Sequence, residues 1–196
     1  MKTAAATFEW GDELPRLEGE RLVLRQMRES DAEDVFAIFG DDEVIRYWSS
    51  PAHGSIDDAR ELISDTRKQF EARTMFEWGA ALKENDRVIA TFSLLNVDMP
   101  HRRAEVGYAL NREYWGGGYA TEGFDLLVAF AFGPLNLHRL EADVHPENAG
   151  SFRLLEKNGF KQEGYLRERW HHLGRIEDGV YLGLLRPEWL ALKGIE

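Results

Sequence analysis

Cysteine is absent from this 196-residue chain. Disulfides, thiolate metal sites and a thiol nucleophile are therefore excluded. Long apolar runs are absent too. The most apolar window, FDLLVAFAFGPL at 124–135, falls far short of the roughly 20 residues that span a bilayer. The start, MKTAAATFEWGDEL, has no apolar stretch of signal-peptide length. The expectation is a cytoplasmic protein with no membrane partner. No proline-rich, low-complexity or repeated tract divides the chain, so residues 1–196 are expected to form a single domain. Basic residues are outnumbered, 24 Lys plus Arg against 35 Asp plus Glu, for a formal charge of −11. That balance argues against nucleic acid as a partner. It suits a cationic substrate such as an amine or a basic protein, although solubility accounts for it more simply.

The apolar pattern gives the order β α α β β β α β α β β. ERLVLRQM at 20–27 alternates as a strand. Ser30 with Glu33 reads as a capping box for a short helix over DAEDVFAIF. Residues 41–55 read as loop, and Ser55 caps a second helix with Ile56, Ala59, Ile63 and Phe70 on one face. MFEWGAAL at 75–82 and VIATFSLLNV at 88–97 form a hairpin, and RAEVGYAL at 103–110 adds the fourth strand. A helix follows, with Phe124, Leu127, Val128 and Ala131 at helical spacing. Then come a strand at 138–144, a helix over 147–160 capped by Asn148, and strands near 160–169 and 176–185 around a turn at Leu173, Gly174 and Arg175. The strands at 103–110 and 138–144, joined by a helix, must be parallel. The fold class is a mixed α/β sandwich of the α+β type.

One stretch is chemically distinctive. EYWGGGYATEGF at 113–124 places three glycines, Gly116, Gly117 and Gly118, between a strand and an apolar helix. That arrangement converges unpaired N–H groups on an anion. It is equally an ordinary tight turn. It is neither a Walker loop nor a dinucleotide fingerprint, because Lys is absent after the last glycine and Thr121 stands where the fingerprint's final glycine belongs.

YWGGGYATEGF resembles the acyl-coenzyme A pyrophosphate loop of the GNAT superfamily of N-acetyltransferases, in the RimJ/RimL-type form W-G-x-G-Y-A-T-E. AEVGYAL, HRLEADVHPENAGSFRLLEKNGF and GRIEDGVYLGLLRPEW are similar to further segments of that group, in the same order. The resemblance runs from about residue 17 to the end. It implies a single-domain GNAT fold: a mixed sheet of six to seven strands, splayed between the fourth and fifth, with about four helices. It implies transfer of the acetyl group of acetyl-CoA to a primary amine, by direct attack through a tetrahedral intermediate. The amine would belong to a protein N-terminus or a small molecule, and the enzyme would be a monomer or homodimer. The resemblance further implies that the amides of Gly116, Gly117, Gly118, Tyr119 and Ala120, with Trp115 and Thr121 beside them, hold the pyrophosphate. The main chain at Tyr108, Ala109 and Leu110 would pair with the pantetheine arm. Asn148 would touch the coenzyme, besides or instead of capping its helix.

The resemblance also leaves gaps. Trp115 replaces the Arg or Gln of the wider superfamily, as in the RimJ/RimL-type group. Leu155 stands where many members carry a Tyr general acid. Ser151 is the group's usual substitute, and it is equally a first-turn helix residue. Glu105, on the face of its strand opposite Val106 and Tyr108, is a candidate general base or a plain surface carboxylate. Tyr47, Trp48 and Asp178 are weaker candidates for acceptor binding. His53, His101, His138 and His145 are scattered, and the adjacent His171 and His172 would face opposite ways on a strand, so no metal site is expected. The missing Tyr keeps a second reading open, a catalytically weak acyl-CoA-binding or sensory module.

Overall fold

A computed structural model describes residues 8–48, 50–172 and 174–195. Eight strands form one sheet in the order β1-β2-β3-β4-β5-β6-β8-β7. They are β1 (Leu17–Glu18), β2 (Leu22–Arg25), β3 (Phe76–Leu82), β4 (Val88–Asp98), β5 (Arg103–Leu110), β6 (Arg139–Val144), β7 (Lys161–His172) and β8 (Arg175–Leu185). The helices are α1 (Ala32–Phe39), α2 (Ile56–Glu71), α3 (Tyr119–Phe132), α4 (Ala149–Lys157) and α5 (Arg186–Lys193). Among the described residues only β5 and β6 pair in parallel, as the connecting helix requires. The expected turn residue Leu173 lies outside the described residues.

The expected six to seven strands and four helices become eight and five. β1 has two residues, too few for an alternation to register. α5 carries Pro near its start, and the Glu188 carboxylate accepts from Leu185 N at 3.1 Å. These are start signals for a helix of only eight residues.

Two apolar layers cover the sheet. One packs Phe92 and Leu140 of the sheet against Phe124 and Leu127 of α3 and Leu154 and Leu155 of α4. The other packs Ala81, Val88 and Ala109 against Val35 and Ile38 of α1 and Ala59 and Ile63 of α2. β4 is buried on both faces along most of its length, as expected of a central strand. Gly123 lets α3 lie close on β4, because a Cβ there would sit 2.2 Å from the Phe92 ring.

The helix starts divide. Ser55 is the N-cap of α2, and its N–H donates to Asp58 at 3.0 Å. The Ser30–Glu33 box does not form. α1 starts after Asp31, whose carboxylate accepts from Arg28 N at 2.7 Å and from Arg25 at 2.7 and 3.0 Å. Arg25 is nearly fully buried, and a buried guanidinium must have a counter-charge. That tertiary demand fixes the helix start at Asp31.

Candidate functional site at the gap between β5 and β6

β5 and β6 pair only at Arg103–Arg139, Ala104–Leu140 and Glu105–Glu141. Beyond Glu105 they diverge, while β6 stays paired with β8 as far as Val144. The expected splay between the fourth and fifth predicted strands lies here. It opens a cleft of about 700 Å³, lined by Glu105 to Leu110 of β5, Ala142 to Val144 of β6 and the first turns of α4.

The glycine loop borders this cleft at Trp115, Gly116 and Ala120. Gly116 and Gly118 adopt φ of 76° and 80°, the left-handed region that side chains disfavour. A Cβ on Gly116 would meet nothing within 4 Å, so the backbone there is bare. Gly118 is the N-cap of α3, with no side-chain cap. The N–H groups of Gly116, Gly118, Tyr119, Ala120 and Thr121 have no acceptor among the described residues. Gly117 N instead donates weakly to Tyr114 O at 3.4 Å. Unpaired amides at a helix N-terminus, reinforced by its dipole, make this a candidate anion site.

Contacts from Arg21, just before β2, and from the first residue of β2 hold the loop in this shape. Arg21 Nη1 donates to Gly117 O at 2.9 Å and Arg21 Nε to Glu122 at 2.8 Å, and the guanidinium lies 4.1 Å from the centre of the Tyr119 ring. The other Glu122 oxygen accepts from Arg21 N at 2.7 Å and Leu22 N at 2.9 Å. Burial works to raise the Glu122 pKa, but these donors outweigh it and hold the carboxyl below its usual range. Glu122 is thereby spent on β2, and its charge is turned away from the anion site.

The two faces of β5 carry different chemistry, because side chains alternate along a strand. Glu105 lies on the α1–α2 face. Burial raises its pKa, against the opposing effect of Asn96 Nδ2, which donates to it at 3.2 Å. Tyr108 lies on the α3–α4 face, its ring centroid 6.3 Å from Phe92 and 5.4 Å from Phe124. Burial pushes its phenol up to about 12. Its hydroxyl is buried beside Ser151 with no hydrogen bond of good geometry. Asn148 Oδ1 accepts from Ser151 N at 3.1 Å, the capping role, which leaves the Asn148 amide nitrogen without a protein partner among the described residues. Leu155, fully buried, lines the cleft one turn after Ser151.

Other expected residues fall on both sides of the boundary. Ala109, Leu110, Tyr47 and Trp48 line the cleft. The Leu110 carbonyl already accepts from Trp115 Nε1 at 2.8 Å. Gly117, Gly118, Tyr119 and Thr121 adjoin the cleft without forming its wall. Asp178 is not on the wall. Its carboxylate accepts from the Tyr165 hydroxyl at 2.5 Å and Glu168 N at 2.7 Å. Several wall residues had no sequence signal. Trp170 and Glu177 arrive from the β7–β8 hairpin, and Asp143, with its side chain 2% exposed, is paired with Arg169 at 2.9 Å. His145 stacks on Tyr47 with centroids 4.9 Å apart, which bridges the α1–α2 loop to the end of β6.

Comparison with known proteins gives one answer. Residues 21–161 match the acetyltransferase (GNAT) domain family. The chain is 35% identical over 173 residues to the uncharacterized N-acetyltransferase YoaA of Bacillus subtilis (strain 168), covering 88% of this chain and 98% of that one. Spermidine N-acetyltransferase from Vibrio cholerae, solved in complex with CoA and spermine, superimposes with a TM-score of 0.76 at 25% identity, covering 87% of this chain and 98% of that one. Mycobacterium smegmatis RimJ, solved with CoA-disulfide, is similar in fold, with a TM-score of 0.78 at 23% identity over 93% of this chain and 96% of its own. Among the described residues no helix is long and apolar enough to cross a membrane, and no cluster of three His, Asp or Glu side chains suits a metal ion.

Proposed function

This chain belongs to the GNAT acetyltransferase family, and we propose that it moves the acetyl group of acetyl-CoA to the primary amine of a cationic acceptor, a small amine or a protein N-terminus. The observation that carries this reading is the row of unbonded N–H groups at Gly116, Gly118, Tyr119, Ala120 and Thr121, set beside a gap in the sheet. A diphosphate fits those groups in charge and in donor chemistry. The unpaired edge of β5 at Tyr108 and Ala109 offers main-chain partners to the amides of the pantetheine arm, and the free Asn148 amide reaches the same cleft.

The acceptor amine approaches from the α1–α2 side. Glu43, Glu105, Glu147 and Glu177 line the cleft, against Arg153 as the one Arg or Lys among its wall residues. The walls therefore favour a cation. The presence of spermine in the similar Vibrio cholerae enzyme is in keeping with that. A primary amine is mostly protonated at neutral pH, so it must lose a proton before it attacks a thioester. Glu105 takes that proton, directly or through water, and its raised pKa makes it the more effective base. Ser151 stands on the donor side, where a hydroxyl can serve the leaving sulfur.

Purified protein offered acetyl-CoA with a panel of polyamines, amino acids and peptides should release free CoA with at least one of them. Binding of CoA by calorimetry without release on any acceptor would replace this reading with that of an acyl-CoA-binding module.

A further inference from the structure

We propose that Tyr108 is the catalytic acid that protonates the leaving sulfur, a role that rests on the acetyltransferase reading above. Tyr108 lines the cleft, and its hydroxyl is buried beside Ser151 with no hydrogen bond of good geometry. Buried hydroxyls almost always have partners, so a group left unpaired at a site is a candidate for pairing with a substrate. It lies on the stretch of β5 beyond Glu105, where the strand has left β6. Contacts with Phe92 and Phe124 fix the ring, so its hydroxyl has one direction.

The faces of β5 supply the division of labour. Glu105 projects on the side from which an amine enters, and Tyr108 projects on the side of α3 and α4, where the glycine loop starts its helix. A thioester reaching through the gap would have its carbonyl attacked from one face and its sulfur met on the other. Acid and base would then not neutralise each other before reaction. Leu155 cannot donate a proton, and Ser151 lies beside the Tyr108 hydroxyl in a position to return one from solvent. The phenol is protonated at working pH, as any tyrosine is.

The step balances. Glu105 takes one proton from the ammonium and releases it to water, the nitrogen pair forms the C–N bond, and the nitrogen, now cationic, gives its second proton to the same carboxylate. The C–S bond then breaks with its electron pair on sulfur, and the Tyr108 proton passes to that sulfur. The phenolate is reprotonated through Ser151, while Glu105 returns its proton to water. The products are an amide and a free thiol, with no oxidant, reductant or further reactant.

Tyr108→Phe keeps the ring and both aromatic contacts, so it tests the hydroxyl alone. The expected result is a fall in kcat of about 10²-fold, the lower end of general acid catalysis, with CoA affinity by calorimetry within twofold of wild type. Ser151→Ala should cost less, and the Tyr108→Phe, Ser151→Ala double variant should be no slower than Tyr108→Phe, because both serve one proton. A kcat within twofold of wild type overturns the proposal. So does a loss of CoA affinity that matches the loss of rate, which would mark Tyr108 as structural. Failure of the acetyltransferase reading is distinguishable, since wild-type protein would then release no CoA with any amine.

Discussion

Gly118→Glu separates the loop's backbone geometry from its electrostatics. Gly118 is the N-cap of α3 at φ 80°, and its added Cβ would lie 3.4 Å from Arg21 Nη2. A side chain in this left-handed region costs roughly 1–2 kcal/mol, a cost that falls on folding. The effect on binding is different in kind. A carboxylate about 5 Å from a pyrophosphate, at an effective dielectric constant of about 20, opposes it by roughly 3 kcal/mol per charge before salt screening. Arg21 Nε and Nη1 are committed to Glu122 and Gly117 O, while Nη2 has no partner among the described residues and offsets part of the new charge, so the repulsion sets an upper limit. CoA affinity should therefore fall by up to about 10²-fold against Gly118→Gln, which carries the same backbone strain without the charge. Calorimetric titration of CoA into both variants, after circular dichroism has shown each to be folded, reads the ratio directly. The ratio should shrink toward unity at 1 M salt, where the Debye length is about 3 Å. Equal affinities for the Glu and Gln variants at low salt would show that no anion sits on these amides, and the loop assignment would fall.

Arg21 holds the Gly117 carbonyl, and in a trans peptide the next N–H, that of Gly118, must point the opposite way. Arg21→Met should raise KM for acetyl-CoA roughly tenfold, about the factor that fixing one residue's backbone represents. KM for S-acetylpantetheine, which has no pyrophosphate, should not change; equal losses with both donors would remove the clasp from donor binding. Glu105 must be ionised to act as a base, and its pKa is raised, so turnover should climb with pH through a limb lying above the usual carboxylate range. Glu105→Gln should lower kcat by about 10²-fold and abolish that limb, and a retained limb would assign the proton to another group. Asp31→Ala strands the buried Arg25 with only the exposed Asp86 as an anionic partner. Denaturant unfolding should show a loss of about 3 kcal/mol, and a change under 1 kcal/mol would mean that Arg25 reaches water.

Composition and periodicity made much of the protein legible. The missing cysteine left only chemistry without a thiol nucleophile. Alternation in 75–110 gave the antiparallel centre of the sheet, and the helix between 110 and 138 forced the one parallel pair. Glycines between a strand and a helix marked the candidate anion site, because positive φ and bare amides are local properties of the chain. Tertiary structure decided what depends on partners far away in sequence. Glu122 is bonded to Arg21, 101 residues earlier, and so leaves the anion site. Arg25 draws Asp31 into its ion pair and moves the start of α1 away from Ser30. The β7–β8 hairpin delivers Trp170 and Glu177 to the cleft, while Asp178, next in sequence, is spent on Tyr165. Local sequence sets which conformation a backbone segment prefers. Which charges remain free for a ligand is set by what else is buried beside them, and only the packed chain decides that.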